Sequence, residues 1–261
     1  MKVYVQIYGE NAIDKSSSEL FDMYNKMLSE STECELTDNS PDIVHLFGMP
    51  TEKMIADAKR FNSAEVPVAY SPMGAYMLTG KRIKPKLAFI HTFGPKEAEI
   101  ISRLKMKSEL ICYPSPILTD SPADSFFAFM KQTYIGAIEK YDKEIRESID
   151  RLVNNTIAHH VESLPDREVA KYEDEKDILF KILYIRHMLR RNALPRPLLI
   201  ELSQRLETCD IDEPELLTLT NKLHCTKLMR RIIYLLDTNH MTTEGYLPAE
   251  PLPDSKLKIN D

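Results

Sequence analysis

Short apolar runs alternate with longer amphipathic segments through the first half of the chain, and this rhythm constrains the fold more than any other feature. The predicted strands are residues 2–8, 42–47, 66–71, 86–92 and 109–116, and the predicted helices between them are residues 16–30, 51–61 and 94–105. Strands that alternate with helices of this length are joined by right-handed crossovers and form a parallel sheet. The sequence therefore predicts an α/β, Rossmann-like domain over residues 1–122.

After Pro122 the predicted strands stop, and apolar residues recur at intervals of three and four. The predicted helices are residues 123–155, 166–194, 197–208 and 213–240. Such spacing gives each helix an apolar face, as a packed bundle requires. We expect an all-α helical domain over residues 123–243. Residues 244–261 contain three prolines and few apolar side chains, which predicts a flexible tail.

Composition narrows the classes of function. The formal net charge is −6, which argues against a general nucleic-acid binder, because such proteins usually carry a basic excess. The four cysteines form no Cys-x-x-Cys pair, so neither a zinc site nor a disulfide framework is expected. The first residues are typical of a strand rather than a secretory leader, and no apolar run is long enough for a membrane span. These features predict a cytoplasmic protein.

Three of the predicted strands end in polar or aromatic side chains that are followed by a glycine. In an open α/β sheet, ligands bind at the carboxyl ends of the strands. The helix that begins near Pro95 would direct its free N–H groups to this edge, where they can hold a phosphate or a carboxylate. Ordinary strand-to-helix turns would give the same pattern. The residues predicted to line a ligand cleft are His45, Phe47, Gly48, Ser71, Met73, Gly74, Thr92 and Gly94.

The segments PDIVHLFG, VPVAYSPMG and ICYPSPI follow one another in this order. They resemble three segments of the N-terminal domain of family-four glycosyltransferases of the GT-B fold, and the likeness covers about residues 1–120. The resemblance implies a domain that faces an acceptor cleft during glycan assembly, with a glycan or sugar nucleotide as the ligand. It also implies that His45 would be the hydrogen-bonding group of the cleft.

The chain departs from the family pattern at two positions and in its second half. The family has histidines where this chain has Phe47 and Met73, which would form an apolar wall. The family's second Rossmann-like domain, which binds the sugar nucleotide, is replaced by the predicted helices. We therefore expect a glycosyltransferase-like protein with a degenerate active site, working on the acceptor side or with a catalytic partner. Whether it is an enzyme stays open; no residue is assigned a catalytic role and no cofactor is expected.

A second hypothesis is a non-catalytic interaction or regulatory protein that keeps the α/β scaffold and binds a protein partner through its helical domain. The predicted partner-binding residues are Arg186, Arg190, Arg191 and Arg196. The acidic run at residues 172–177 precedes them, and such mixed charge also fits a solvated helix surface. An enzyme of unrelated chemistry in the same cleft is a third hypothesis, because a fold does not determine a function.

Overall fold

The chain divides into two compact units, residues 1–142 and residues 143–261. The computed structural model describes residues 1–9, 15–74, 85–104, 106–114, 123–164, 172–241 and 248–253. An α/β unit comes first and a helical unit follows, so the predicted fold class is confirmed. The predicted domain boundary at residue 122 precedes helix α4 (Ala123–Glu162), whereas the two compact units meet within that helix.

The first unit contains a six-stranded parallel sheet in the order β2-β1-β3-β4-β5-β6. Its strands are β1 (Lys2–Tyr8), β2 (Glu35–Leu36), β3 (Ile43–Gly48), β4 (Val68–Ser71), β5 (Phe89–Thr92) and β6 (Glu109–Cys112). The described helices beside them are α1 (Lys15–Glu30), α2 (Glu52–Ser63) and α3 (Pro95–Arg103). The two-residue edge strand β2 was not predicted, and β4, β5 and β6 are shorter than the apolar runs that predicted them.

Alternate side chains of each strand face opposite sides of the sheet, and each side has its own apolar core. Ile43 and Phe47 of β3 pack with α1 and the first turns of α4. Val44 and Leu46 of the same strand pack with α2 and α3. Both faces of β3, β4 and β5 are covered, and these strands are mostly apolar, as buried parallel strands usually are. A polar side chain inside one of these strands therefore needs a partner within the protein.

The second unit is helical among its described residues, and a single apolar core joins its helices. The helices of this unit are the second half of α4, followed by α5 (Glu173–Arg190), α6 (Arg196–Thr208), α7 (Glu213–Lys222) and α8 (Thr226–Thr238). Of the predicted flexible tail, residues 248–253 contact α8 through hydrogen bonds, while residues 244–247 and 254–261 lie outside the described part of the chain. No helix in the described ranges is both long and apolar enough to cross a membrane.

The prediction of one helix over residues 213–240 is wrong, because the helix is interrupted between α7 and α8. His224 adopts a left-handed conformation, with φ of 51°. Its N–H bonds to the carbonyl of Asn221, and the N–H of Cys225 bonds to that of Thr220. This pattern is the Schellman helix end, in which glycine usually takes the left-handed position.

The same pattern ends three other helices in the described part of the chain. Glu65 follows α2, Asn192 follows α5 and His240 follows α8, each with a positive φ. In each case the next residue donates its N–H to a carbonyl five residues earlier. Helix α5 therefore ends at Arg190 rather than at residue 194 as predicted. The chain has 7 glycines, and it ends these helices without using one.

Thr51 begins α2 as the sequence predicts, since its side chain accepts a hydrogen bond of 3.1 Å from the N–H of Met54. We expect Thr51→Ala to lower the free energy of unfolding by about 1 kcal/mol, because that N–H loses its partner. Thr51→Ser keeps the oxygen and should stay close to the wild type. Urea unfolding of both variants measures the difference, and equal losses in both would contradict a capping role.

Candidate functional site

The eight residues predicted to line a ligand cleft lie in or just after β3, β4 and β5, in the first unit. They are His45, Phe47 and Gly48 in β3, Ser71 at the end of β4 with Met73 and Gly74 after it, and Thr92 at the end of β5 with Gly94 after it. Because the strands are parallel, their carboxyl ends lie at one edge of the sheet. The fold therefore groups these residues, with His45 set back inside its strand. Their binding of a ligand stays a prediction.

His45 is fully buried, and both of its ring nitrogens are hydrogen-bonded to other side chains. Nδ1 lies 2.5 Å from the hydroxyl of Tyr134, and Nε2 lies 2.8 Å from the hydroxyl of Ser71. The ring also stacks on Phe47, with 4.0 Å between the ring centroids. The group expected to bond a ligand is thus already bonded within the protein.

These contacts belong to a longer chain of buried polar groups on one face of the sheet. The hydroxyl of Tyr24 donates to that of Tyr134 at 2.5 Å, and the hydroxyl of Ser71 lies 3.1 Å from Nδ1 of His91. The order is Tyr24, Tyr134, His45, Ser71, His91, which we name the buried polar chain. All five side chains are at most 2% exposed.

The direction of the bond from Tyr24 to Tyr134 sets the proton positions in the rest of the buried polar chain. If Tyr24 donates to Tyr134, then Tyr134 donates to Nδ1 of His45 and the proton of His45 sits on Nε2. Ser71 accepts that proton's hydrogen bond and donates its own to Nδ1 of His91. Both histidines are then neutral, and the proton of His91 sits on Nε2. That nitrogen is buried and makes no hydrogen bond of normal geometry among the described residues.

The electrostatics agree with two neutral histidines. Burial lowers the pKa of His45 well below its usual range, and the neighbouring His91 lowers it further. Burial lowers the pKa of His91 to about 4, although the backbone of Tyr113 acts in the opposite direction. Burial also raises the pKa of Tyr134 well above its usual range. The charged form of each group is disfavoured because the surroundings are apolar.

The remaining side chains of the predicted cleft also face the interior. Phe47 and Met73 are 2% and 3% exposed and belong to the same apolar core. Thr92 is fully buried, and its hydroxyl donates to the carbonyl of Ile111 at 3.3 Å. The three polar side chains of the prediction, His45, Ser71 and Thr92, are therefore all bonded to protein groups.

A carboxylate of the chain itself, that of Glu97, lies beside the amino end of α3, where an anion was expected. Gly94 is the N-cap and Pro95 begins the helix, as predicted. The side chain of Glu97, which is 8% exposed, accepts a hydrogen bond of 2.5 Å from the N–H of Gly74. Burial raises the pKa of Glu97, while hydrogen bonds from the backbone of Gly74 and Phe93 partly offset that rise. Glu97 therefore joins the loop after β4 to the loop after β5.

The strand order changes direction between β1 and β3, and such a switch point is where open α/β sheets usually bind ligands. Here the N–H of Met49 bonds to the carbonyl of Tyr8 at 2.9 Å, so the two strands stay paired beyond β3. Gly9 has φ of +70°, and a Cβ atom added to it would lie 2.8 Å from Cβ of Met49. A side chain at Gly9 would therefore collide with Met49, which packs directly against this glycine.

The four arginines predicted to bind a partner lie in the second unit and differ in exposure. Arg190 and Arg196 are exposed, whereas Arg191 is 9% exposed and Arg186 is half-buried. Burial raises the pKa of the Cys225 thiol to about 11, although the charge of Arg186 acts in the opposite direction. A partner that binds this cluster would contact mainly the exposed side chains of Arg190 and Arg196.

A surface cavity of about 290 Å³ lies in the second unit, between α4 and the start of α5. It is lined by Asn154, Asn155, Ile157, Ala158, Tyr172, Glu173 and Lys176. None of the residues predicted to bind a ligand or a partner lines it. Lys176 lies 3.9 Å from the carboxylate of Asp150, so its charge is partly matched within the unit. In the parts of the chain that the structure describes, no three His, Cys, Asp or Glu side chains form a metal site.

Four residues that bond to the predicted cleft residues or to one another were not predicted from the sequence: Tyr24, Tyr134, His91 and Glu97. His91 had a visible signal, since it is a polar residue within the apolar run of β5. Glu97 sits three residues after the N-cap, where glutamate often reaches back to free N–H groups. The two tyrosines gave no local signal, because they belong to amphipathic helices in which a buried aromatic residue is ordinary.

Comparisons with family models, with curated proteins and with solved structures give no match.

Proposed function

We propose that this protein works by binding a partner and that its α/β unit is a scaffold rather than a sugar-transfer site. The observation that carries the proposal is that polar groups of the predicted ligand cleft are already hydrogen-bonded to other groups of the chain. Both nitrogens of His45 are bonded to Tyr134 and Ser71. The carboxylate of Glu97 occupies the space beside the start of α3, where it accepts from the N–H groups of Gly74 and Phe93. A sugar nucleotide would have to displace these contacts.

Removal of the Glu97 carboxylate tests the proposal. We expect Glu97→Ala to gain stabilisation from added pyrophosphate, because the N–H groups of Gly74 and Phe93, beside the positive end of α3, lose their internal anion. The wild type should not change. A ligand at 100 times its dissociation constant adds about 2.7 kcal/mol to the free energy of unfolding, so thermal unfolding resolves the effect.

Glu99→Ala is the matched control, since Glu99 lies on the same helix but is exposed and paired with Arg103. It should respond to pyrophosphate as the wild type does. Dose-dependent stabilisation of the wild type by a nucleoside diphosphate or its sugar conjugate would overturn the proposal. Equal responses of Glu97→Ala and Glu99→Ala would remove its main support.

The second candidate is a glycosyltransferase-like protein that holds an acceptor or completes its site with a catalytic partner. The observation in its favour is the parallel sheet with Gly9, Gly48 and Gly74 at one edge, all three with positive φ. Backbone of this kind allows close approach of a ligand. The same thermal unfolding experiment separates the two candidates, because a sugar nucleotide that stabilises the wild type would favour this one.

A further inference from the structure

Residues 248–253, with the sequence Pro-Ala-Glu-Pro-Leu-Pro, lie against α8 in the second unit; we name them the strap. Arg230 of α8 makes three contacts with the strap. Its Nε–H donates to the carbonyl of Glu250 at 2.9 Å, its guanidinium lies 3.5 Å from the carboxylate of Glu250, and its carbonyl accepts from the N–H of Leu252 at 2.9 Å. One helical residue therefore holds the main chain of the strap at two positions.

Arg230 presents to the strap the hydrogen-bonding pair of a neighbouring parallel strand. In a parallel ladder one residue donates to a carbonyl and accepts from the N–H two residues farther along the facing strand. Arg230 does the same with Glu250 and Leu252, except that its side-chain N–H replaces the main-chain N–H, which the helix already uses. Arg230 thus binds an extended main chain through the same two hydrogen bonds that a neighbouring strand would make.

The composition of the strap suits this arrangement. Pro251 lies between the two bonded residues, Glu250 and Leu252. An N–H at this position would point away from Arg230, so a proline here loses no hydrogen bond to Arg230. Its fixed φ also reduces the entropy that an extended segment loses on docking. Pro248 is buried, and Ala249 packs against the apolar core of the unit. The strap therefore has small or apolar side chains at the two positions that face the unit.

We propose that the α8 surface around Arg230 is a binding groove for an extended, proline-containing segment of a protein partner, which the strap fills within the free chain. This inference deepens the proposed binding function by naming the chemistry of the partner. The partner carries a small residue where the strap has Ala249 and a free N–H where it has Leu252. A tethered segment competes at an effective concentration in the millimolar range, so an identical segment of a second copy displaces it poorly. A partner with contacts beyond the groove displaces it more readily.

The test uses the full chain and a fluorescent synthetic peptide with the sequence of residues 247–254. Leu252→Pro removes the N–H that bonds to Arg230 and leaves α8 unchanged, so the groove opens without loss of its walls. We expect the peptide to bind Leu252→Pro at least about tenfold more tightly than the wild type, because the competent state is then more populated. Fluorescence anisotropy measures both affinities, and thermal unfolding confirms that the variant is folded.

Two controls locate the binding. Adding Arg230→Ala to Leu252→Pro should weaken peptide binding at least about tenfold, whereas adding Lys227→Ala, an exposed residue of the same helix, should leave it unchanged. Equal affinity of the peptide for the wild type and Leu252→Pro, or no effect of Arg230→Ala, would overturn the groove. A dimer of the wild type that the peptide dissociates would overturn it too, because the occupant would then be a second copy. These outcomes leave the proposed function intact, since its own test concerns Glu97 in the other unit.

Discussion

Tyr134→Phe is expected to lower the free energy of unfolding by about 2–4 kcal/mol, although it removes a single oxygen atom. Tyr134 stands between Tyr24 and His45 in the buried polar chain, at 2.5 Å from each. Without its hydroxyl, Tyr24 loses its acceptor and Nδ1 of His45 loses its donor. An unpaired polar group in a buried site costs about 1–3 kcal/mol, and these side chains are at most 2% exposed to solvent.

Two further substitutions make this result specific. Tyr24→Phe removes the end of the buried polar chain and should cost about 1 kcal/mol, because Tyr134 still donates to His45. The double variant should cost less than the sum of the single variants, since Tyr24 is then no longer left without an acceptor. Tyr4→Phe, which alters a half-buried hydroxyl 3.4 Å from Gln6, serves as the control.

Urea unfolding measures the four free energies, and hydrogen exchange of the β3 amides assigns the loss to the first unit. Strict additivity of Tyr24→Phe and Tyr134→Phe would contradict the pairing of these hydroxyls. A cost for Tyr134→Phe no larger than that of Tyr4→Phe would mean that the buried polar chain does not hold in solution.

The fold class and five of the six strands followed from the sequence, because parallel strands buried on both faces are mostly apolar along their length. Residues 42–47 form such a run, and the strand there is β3 (Ile43–Gly48). Helix ends were less visible. Four described helices end at left-handed Glu65, Asn192, His224 and His240, and a search for glycine finds none of them. The bond that ends each helix forms only once the main chain has turned.

The polar residues of the sheet edge could be found from the sequence, but their partners could not. His45 and Ser71 stand out because they interrupt apolar strands. The interactions that decide their role come from Tyr134, which is 89 residues from His45, and from Tyr24, which is 110 residues from Tyr134. Local periodicity places these tyrosines on the buried faces of helices and carries no information about which strand they meet. A predicted ligand group and a buried structural group therefore have the same local pattern.

The first unit is expected to lose stability as the pH falls below 6.5, because its two buried histidines must remain neutral. Burial lowers the pKa of His91 from its ordinary value of 6.5 to about 4, so the unfolded chain binds the proton first. Stability from this group is complete above pH 6.5 and is lost as the pH falls toward 4. The shift corresponds to about 3 kcal/mol, and His45, whose pKa is also lowered, adds to it.

The comparison of the wild type with His91→Asn isolates this effect. The amide oxygen of asparagine can accept from Ser71 as Nδ1 does, and the side chain does not titrate. We expect His91→Asn to lose about 3 kcal/mol less than the wild type between pH 6.5 and pH 4 in urea unfolding. Burial raises the pKa of Glu97, which favours folding at low pH, and the comparison at equal pH cancels that contribution. His159→Asn, which replaces an exposed histidine, should follow the wild type. If His91→Asn follows it as well, His91 is solvated in solution, and the buried polar chain opens at that end.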